Sequence, residues 1–299
     1  MPCEEFEPTL SLGQIASLAC ILEVTAAKPG NVHRAADFDD VCLNDFLASA
    51  IAIGLAIDGY PQYSVGEVIL QASRATRLVT DTNTNLGLIL LIAPLAKAWV
   101  NMGGHGKLTS VELDSVLKDL DRKDSASIYE AIRIAQPSAM GTVDEYDCNP
   151  NNPTDSHPEH ILDAMRLASS WDTIARQYCD NFDLILNKAV PFLAAELKTG
   201  IRVADATVVT HIFLMSEVPD TLIARKCGRN VSEAASIRAA KVLDFYQRKE
   251  MTDYYRELSD FDFWLRADGR RRNPGTTADL IGATLFVGLL EGWIKPPFR

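Results

Sequence analysis

The sequence has no apolar run long enough to cross a bilayer and no signal-peptide pattern. Its longest apolar stretch, residues 86–96, contains Pro94 and is far shorter than the roughly 20 residues that a transmembrane helix needs. The first residues, Met-Pro-Cys-Glu-Glu-Phe-Glu, are acidic, whereas a signal peptide begins with basic residues and continues with an apolar segment. We therefore expect neither a membrane span nor a membrane partner.

Basic residues are also in short supply. The 299-residue chain has 29 Lys and Arg against 40 Asp and Glu, which gives a formal net charge of -11. The electrostatic field of such a molecule repels nucleic acids and anionic lipids, so we expect no nucleic-acid partner. A polyphosphate ligand would need local compensation by a few Arg and Lys, by helix N-termini or by a divalent metal.

Common catalytic and metal-binding signatures are missing as well. The six cysteines contain no C-x-x-C pair, which favours a reducing, cytoplasmic location. The sequence contains no G-x-x-x-x-G-K-[ST] and no G-x-G-x-x-G after a strand, so it is not a conventional P-loop or Rossmann enzyme.

What the sequence does contain is helical periodicity. Ile15, Leu18, Leu22 and Ala26 recur at three- and four-residue steps behind Ser11, which predicts an N-capped amphipathic helix. Similar patterns predict about eleven or twelve helices and no strand of useful length. We predict an all-α fold, a multi-helix bundle in which residues 1–299 form a single domain.

One long segment fits neither helix nor strand. Residues 137–158 contain many prolines, asparagines and acidic side chains. We expect a surface loop there, and loops of this length are either lids over a binding site or disordered segments.

Four polar clusters interrupt the helical pattern. The first is Glu23 followed by Lys28-Pro-Gly-Asn-Val-His-Arg34, with Asp37 shortly after. A Pro-Gly turn does not need Lys, Asn, His and Arg in one short segment. Those side chains can donate hydrogen bonds to phosphate or to a purine. The alternative is that Lys28 only caps the first helix and Asp37 only leads into the next.

The second cluster is Asp81-Thr-Asn-Thr-Asn85, at the start of an apolar helix. A helix start needs one capping residue of this kind. The whole run could instead offer an anion its side chains, the free backbone amides and the helix dipole. An ordinary helix cap is the alternative interpretation.

The third and fourth clusters add charged groups at two more helix ends. The third spans residues 217–226, where Asp220 and Arg225 can face a common ligand or form a surface ion pair. The fourth, Arg270-Arg-Arg-Asn-Pro-Gly-Thr-Thr-Ala-Asp279, opens the last long helix. Because that helix is apolar, we expect it to be buried, which makes Asp279 a candidate metal ligand or general base.

Taken in chain order, the four clusters resemble one known family. The segments are Glu23 with residues 28–34, Thr82-Asn-Thr-Asn85, Asp220-Thr-Leu-Ile-Ala-Arg225 and Asn273-Pro-Gly-Thr-Thr-Ala-Asp279. They are similar to the motifs of the triphosphoribosyl-dephospho-CoA synthase family. The resemblance implies an all-helical pentosyltransferase that uses ATP as ribosyl donor: the 2′-hydroxyl of dephospho-CoA attacks the ribose C1′, and adenine leaves.

Two segments depart from the pattern of members that act on dephospho-CoA. Those members usually have Asn-Thr-His-Lys-Gly where this chain has Asn83-Thr-Asn-Leu-Gly87, and tend to have Lys-Pro-Gly-Leu-Val-Asp-Arg at residues 28–34. In this respect the chain resembles a branch from lineages that use tetrahydromethanopterin. Transfer to a ribitol hydroxyl of a pterin precursor, from ATP or phosphoribosyl pyrophosphate, is therefore an alternative reaction.

The reaction implied by the resemblance sets three tasks. Displacement at an anomeric carbon passes through an oxocarbenium-like state, so the site must hold polyphosphate, assist the leaving base and deprotonate the acceptor hydroxyl. We expect polyphosphate to contact Lys28, Arg34 and Arg225. We expect the leaving base to contact Asn31 and His33.

The remaining candidates divide between carboxylates and other substrate contacts. General-base and Mg²⁺-binding roles are expected for Asp37, Asp220 and Asp279. Further substrate contacts are expected for Asn83, Asn85, Asn273, Gly275 and Thr276. We expect one pocket to unite these clusters, because polar groups at separate helix ends are costly to bury without a shared ligand. A non-catalytic nucleotide-binding regulator is the alternative of another class, and a homodimer is an open assembly state.

Overall fold

The computed structural model describes residues 10–136, 145–148 and 157–298. Within these ranges the chain forms α-helices, one π-helical segment and two isolated bridges, His33–Ala36 and Phe38–Val41, but no strand. The all-α prediction is therefore confirmed. Most of the predicted loop, residues 137–144 and 149–156, lies outside the described residues.

Fourteen α-helices are present in the described ranges, rather than about eleven or twelve. Their bounds are α1 Leu12–Thr25, α2 Leu43–Ile57, α3 Val65–Arg77, α4 Leu86–Asn101, α5 Ser110–Lys118, α6 Arg122–Ala135, α7 Ile161–Ala168, α8 Thr173–Cys179, α9 Val190–Lys198, α10 Val203–Glu217, α11 Thr221–Cys227, α12 Arg229–Gln247, α13 Met251–Arg266 and α14 Gly275–Leu290. The π-helical segment, Leu184–Ala189, leads directly into α9.

Two local capping events explain the larger number. The pattern over residues 159–179 predicted one helix, but Asp172 accepts hydrogen bonds from the amides of Ile174 and Ala175 and starts α8 separately from α7. Asp220 caps α11 in the same way, within a segment interpreted as a polar cluster rather than a helix. Capping side chains satisfy helix amides that would otherwise lack partners.

Reciprocal caps start several of the longer helices. Ser11 with Gln14 opens α1, Ser64 with Glu67 opens α3, and Asp121 caps α6. In each case a side-chain oxygen accepts from a first-turn amide, which is the interaction that a capping box predicts. The sequence therefore encodes these helix starts locally.

The apolar helices α4 and α14 lie in the centre of the core. Of the sixteen residues of α4, most are buried, including Leu91 and Ile92. Pro94 cannot donate to the carbonyl one turn before it, and the Tyr178 hydroxyl donates to that Leu90 carbonyl over 2.6 Å. A buried tyrosine thus satisfies the carbonyl that the proline leaves free.

The remaining helices surround this centre. One large hydrophobic cluster contains residues from α1 to α14, such as Ala16 and Phe286, and a second one lies between α10, α12 and α13. No helix in the described part of the chain is both long and apolar enough to cross a membrane. The N-terminal ends of α4, α8, α11 and α14 border a common cavity.

Candidate functional site

The cavity has a volume of about 600 Å³, which is in the range of small-molecule binding sites. Its lining includes Glu23 from α1, Asn31 from the following turn, Asn85 and Gly87 from the start of α4, and Asp279 from α14. All four polar clusters contribute to this lining. Each cluster therefore contributes residues to one pocket, but Lys28, Arg34 and Asp220, which were expected in the same pocket, do not line it.

Direct contacts join the first and fourth clusters. The Asn31 side-chain amide donates to the Asn273 carbonyl oxygen over 2.6 Å. The two residues are 242 positions apart in the chain. Asn31 is 5% exposed, and its own side-chain oxygen has no hydrogen-bond partner in the structure. Asn31 lines the cavity, and a buried acceptor without a partner is rare in folded proteins.

The second cluster meets the fourth at the start of α4. A Cβ atom on Gly87 would lie 2.1 Å from the Asp279 Oδ2 atom, so only glycine allows this approach. Asn85, 7% exposed, begins the helix and lines the cavity, and its side-chain nitrogen is buried without a hydrogen-bond partner. A polar side chain and the Asp279 carboxyl group thus lie at the same helix start.

Asp279 is the most perturbed carboxyl group of the cavity. It is half-buried and is the fifth residue of α14, just after the first turn in which it was expected. Its pKa is raised well above its ordinary value, first by burial and then by the negative charges of Glu23, Asp220 and Asp172, while the Leu88 amide opposes the shift. A carboxyl group with a raised pKa is a stronger base than an ordinary aspartate, which suits proton transfer.

The candidate residues divide clearly by position. Those that line the cavity are Asn31, Asn83, Asn85, Arg225, Asn273, Gly275, Thr276 and Asp279. Those outside the lining are Lys28, His33, Arg34, Asp37 and Asp220.

Lys28 lies behind the cavity wall. Its side chain is fully buried, and its ammonium group forms an ion pair with the Glu23 Oε1 atom at 2.9 Å and donates to the Glu23 backbone carbonyl. Glu23 itself faces the cavity. In this structure Lys28 therefore orients a cavity carboxylate instead of presenting its own charge to phosphate.

Asp37, Arg34 and His33 lie further out. Asp37 and Arg34 are exposed, and the Asp37 carboxylate accepts from the Leu43 amide over 2.8 Å at the start of α2. His33 is half-buried, and burial followed by the charge of Arg266 lowers its pKa. The structure brings none of these three side chains into the cavity with Asp279.

Asp220 joins the third and fourth clusters but does not line the cavity. Its Oδ1 atom accepts from the amides of Leu222 and Ile223, and its Oδ2 atom accepts from the Thr277 amide at 2.7 Å and hydroxyl at 2.8 Å. Burial raises its pKa, while these bonds oppose the shift. Four donors engage both oxygens, so this side chain positions α11 against α14.

Several cavity residues were not among the candidates. Asp172 pairs with Arg225 at 2.8 Å, and Lys226 and Arg270 lie on the same lining. Aspartate is a common N-cap residue, so the sequence could have indicated Asp172, directly before Thr173, as a helix cap. The direction of the side chains of Lys226 and Arg270 depends on tertiary packing and has no signal in the sequence.

A second part of the lining is richer in apolar side chains, although it also contains Glu145 and Asp147. It is formed mainly by α6, α7 and α8, with Tyr129, Met165 and Trp171 on its wall. The Tyr129 hydroxyl donates to the Tyr146 carbonyl over 2.9 Å, and residues 145–148 contribute to the lining. The cavity therefore offers a polar end for reacting groups and an apolar end for a ring or an alkyl chain.

The carboxylates fit a magnesium ion that arrives with phosphate. Among the described residues, no three His, Cys, Asp or Glu side chains lie close enough together to hold a metal ion. Mg²⁺, however, usually binds through one or two carboxylates, substrate phosphates and water. Glu23 and Asp279 are two carboxyl groups on the lining, so the donor set matches that mode of binding.

Comparisons with known proteins agree with this site. A family model described as CitG, ATP:dephospho-CoA triphosphoribosyl transferase, matches residues 9–297. The crystal structure of a proposed triphosphoribosyl-dephospho-CoA synthase from Archaeoglobus fulgidus is similar, with a TM-score of 0.61 and 26% sequence identity. That similarity covers 83% of this chain and 99% of the other. No curated protein matches the chain.

Proposed function

Because the chain belongs to the CitG family of ATP:dephospho-CoA triphosphoribosyl transferases, we propose that the cavity transfers a triphosphoribosyl group from ATP to the 2′-hydroxyl of dephospho-CoA. Membership confirms the resemblance predicted from the four clusters and makes the protein a pentosyltransferase. The proposal concerns the substrates of this chain and the roles of its residues.

One observation supports this site above others: Asp279 lines the same cavity as Asn31 and Asn85, two side chains with buried polar atoms that have no hydrogen-bond partner. A transfer at C1′ needs a base for the attacking hydroxyl and polar contacts for the departing purine. Both requirements are met by these three side chains at one end of the cavity.

The bond changes are those of a single displacement. The acceptor oxygen forms a bond to C1′ of the ATP ribose while the bond from C1′ to the adenine nitrogen breaks. The electron pair of that bond goes to adenine, which takes up one proton from solvent water and leaves as the neutral base, and Asp279 later returns the proton that it accepted to solvent. The proton of the acceptor hydroxyl goes to the ionised Asp279 carboxylate.

Other residues orient the reactants. Asn31 and Asn85 can accept from and donate to the purine edge, and Asn273 holds Asn31 in place through their 2.6 Å hydrogen bond. A magnesium ion held by Glu23 or Asp279 would supply charge neutralisation to the phosphates. Nothing in the cavity favours the ribitol acceptor or the non-catalytic regulator over this proposal.

The test is incubation of the purified protein with ATP or phosphoribosyl pyrophosphate, each with and without dephospho-CoA. We expect free adenine from ATP only when dephospho-CoA is present, and no pyrophosphate from phosphoribosyl pyrophosphate. ATP binding without adenine release would contradict the proposal and support a regulator. Pyrophosphate release with a ribitol-containing pterin precursor would support the alternative reaction.

A further inference from the structure

Three basic side chains line one wall of the cavity: Arg225, Lys226 and Arg270. Arg225 pairs with Asp172 at 2.8 Å, and Arg270 pairs with Asp40 at 2.6 Å. The ammonium group of Lys226 forms no ion pair or hydrogen bond with any described residue. Lys226 therefore has charge and donors that the protein itself does not use.

The surroundings of Lys226 are unfavourable for a lone cation. The side chain is half-buried, and burial followed by the charge of Arg270 lowers its pKa. Arg270 also has a buried Nε atom without a hydrogen-bond partner. Asp40, which pairs with Arg270, and Asp220 oppose this shift. They do not contact the Lys226 ammonium group directly, and a half-buried cation without such a contact is costly unless an anion binds it.

We propose that Lys226 and Arg270 form a binding subsite for a phosphoanhydride chain. This inference rests on the proposed function, in which both substrates carry such a chain: the triphosphate of ATP and the diphosphate of dephospho-CoA. Guanidinium and ammonium groups are the usual partners of phosphate oxygens. Several oxyanions in sequence can engage Lys226 and Arg270 together.

The acidic residues of the lining determine how a bound polyphosphate is oriented in the cavity. Glu23 and Asp279 are acidic and line the same cavity, so they repel phosphate groups that carry no metal ion. The phosphates therefore bind at the Lys226 wall. If the bound polyphosphate is the triphosphate of ATP, C1′ of the attached ribose extends towards Asp279.

The loop before α14 connects this subsite to the end of the cavity that contains Asp279. The Arg271 guanidinium donates to the Lys226 carbonyl over 3.2 Å, and the Cys227 thiol donates to the Arg271 carbonyl over 3.4 Å. The same loop continues through Asn273, which bonds to Asn31. A phosphate contact at Lys226 thus fixes the distance between the polyphosphate and Asp279.

The direct test uses inorganic tripolyphosphate as the probe, measured by calorimetry with the full chain. We expect Lys226→Met to weaken tripolyphosphate binding by about 10-fold to 100-fold, because this is the change in affinity that the loss of one hydrogen bond to a charged group produces. Lys226→Arg should retain most of the affinity. Lys107→Met is the matched control, because Lys107 is exposed and outside the lining, and it should bind like the wild type.

Steady-state kinetics then identify the source of the phosphates. A raised KM for ATP in Lys226→Met assigns the subsite to the donor triphosphate, and a raised KM for dephospho-CoA assigns it to the acceptor diphosphate. In either case kcat should change less than KM. If Lys226→Met does not fold, Lys226→Gln takes its place in the same measurements.

The subsite and the proposed function fail in different ways. Tripolyphosphate binding that is absent in the wild type, or equal in Lys226→Met and the wild type with both KM values unchanged, overturns the subsite. A wild type that binds tripolyphosphate through Lys226 but releases no adenine from ATP and dephospho-CoA overturns the proposed function and leaves the subsite intact.

Discussion

At the scale of single residues, Asp279 carries the chemistry proposed here. Its carboxyl group lies between the start of α4 and the side chain of Glu23, and burial keeps water from stabilising its charge. Such an environment makes the ionised carboxylate more basic. The same environment makes the charge costly for folding.

Asp279→Asn should separate these two effects. We expect turnover to fall by about 10² to 10⁴, the usual contribution of a positioned proton-transfer group. A folded-state pKa above the unfolded value means that stability is lost as the pH rises towards the folded pKa. The neutral Asn avoids this loss, so at neutral pH its melting temperature should equal or exceed that of the wild type.

Adenine release and thermal unfolding, measured side by side, check this expectation. Asp39→Asn, an exposed aspartate outside the cavity, serves as the control and should behave like the wild type in both assays. Normal turnover in Asp279→Asn would remove Asp279 from the mechanism.

The negative charge of Glu23 is the second cause of the raised pKa of Asp279, after burial. Glu23→Gln removes that charge. If Asp279 is the base, the acidic limb of the kcat/KM profile should therefore move to lower pH. The buried Lys28 would lose its partner, and breaking such a pair costs about 3–5 kcal/mol, so the variant should also melt earlier.

The pH profile of the remaining folded enzyme is the decisive measurement for Glu23→Gln. Glu233→Gln, which breaks the exposed pair with Arg229, is the control and should leave the profile unchanged. An acidic limb at the wild-type position in Glu23→Gln would show that another group controls it.

At the scale of elements, a chain of threonines and one aspartate joins three helix starts. The Thr173 amide at α8 donates to the Thr221 hydroxyl at α11, which donates to the Thr276 hydroxyl at α14. Asp220 adds two bonds to Thr277. These contacts hold the ends of α8, α11 and α14 around the cavity.

Asp220→Ala should therefore act on stability. It leaves the amides of α11 uncapped and two buried Thr277 donors without an acceptor, which we expect to cost about 2–5 kcal/mol. Urea unfolding measures this loss. Asp220→Asn keeps an acceptor oxygen and should lose less. A variant Asp220→Ala that unfolds like the wild type but is inactive would instead assign Asp220 a chemical role.

Gly87 controls the contact between α4 and α14. In Gly87→Ala the new Cβ atom would lie 2.1 Å from the Asp279 Oδ2 atom, so the carboxylate must move. A displacement of about 1 Å can cost about 10²-fold in rate, although alanine favours helix more than glycine does. Initial rates and melting temperatures of the variant test this expectation.

Gly288→Ala is the matched control, because its Cβ atom would lie 3.2 Å from a side-chain carbon of Ile294 and away from the cavity lining. It should retain activity. Equal rates for Gly87→Ala and the wild type would mean that the position of Asp279 tolerates displacement.

At the scale of the whole molecule, the formal charge of -11 opposes the approach of ATP. A magnesium ion reduces the charge of the nucleotide and can bind a cavity carboxylate at the same time. We therefore expect magnesium to raise the apparent affinity for ATP. Calorimetry with and without a chelator measures this, and equal affinities would remove the metal from the mechanism.

Other whole-molecule properties remain predictions. The single domain over residues 1–299, the cytoplasmic location and a homodimer are compatible with the structure, which contains one chain. The large hydrophobic cluster with members from α1 to α14 is consistent with a single cooperative unit.

The sequence alone determined the all-helical fold class, the positions of most helices and the family. Helix starts depend on residues within one turn, as in the pairs Ser11 with Gln14 and Ser64 with Glu67, and the apolar periodicity depends on near neighbours. The four polar clusters could be found for the same reason, because each is a short continuous segment. Their order along the chain was sufficient for the resemblance that the family match confirms.

Only the tertiary structure decided which of these polar residues face the cavity. Lys28 is paired with Glu23 behind the wall, and Asp220 is engaged by Thr277. Lys226 lines the cavity and has no ion-pair or hydrogen-bond partner for its ammonium group among the described residues. Such assignments depend on contacts between residues far apart in the chain, as between Asn31 and Asn273. Hydrogen-bond donors and charges act over a few ångströms, so their roles are set by packing rather than by spacing in the sequence.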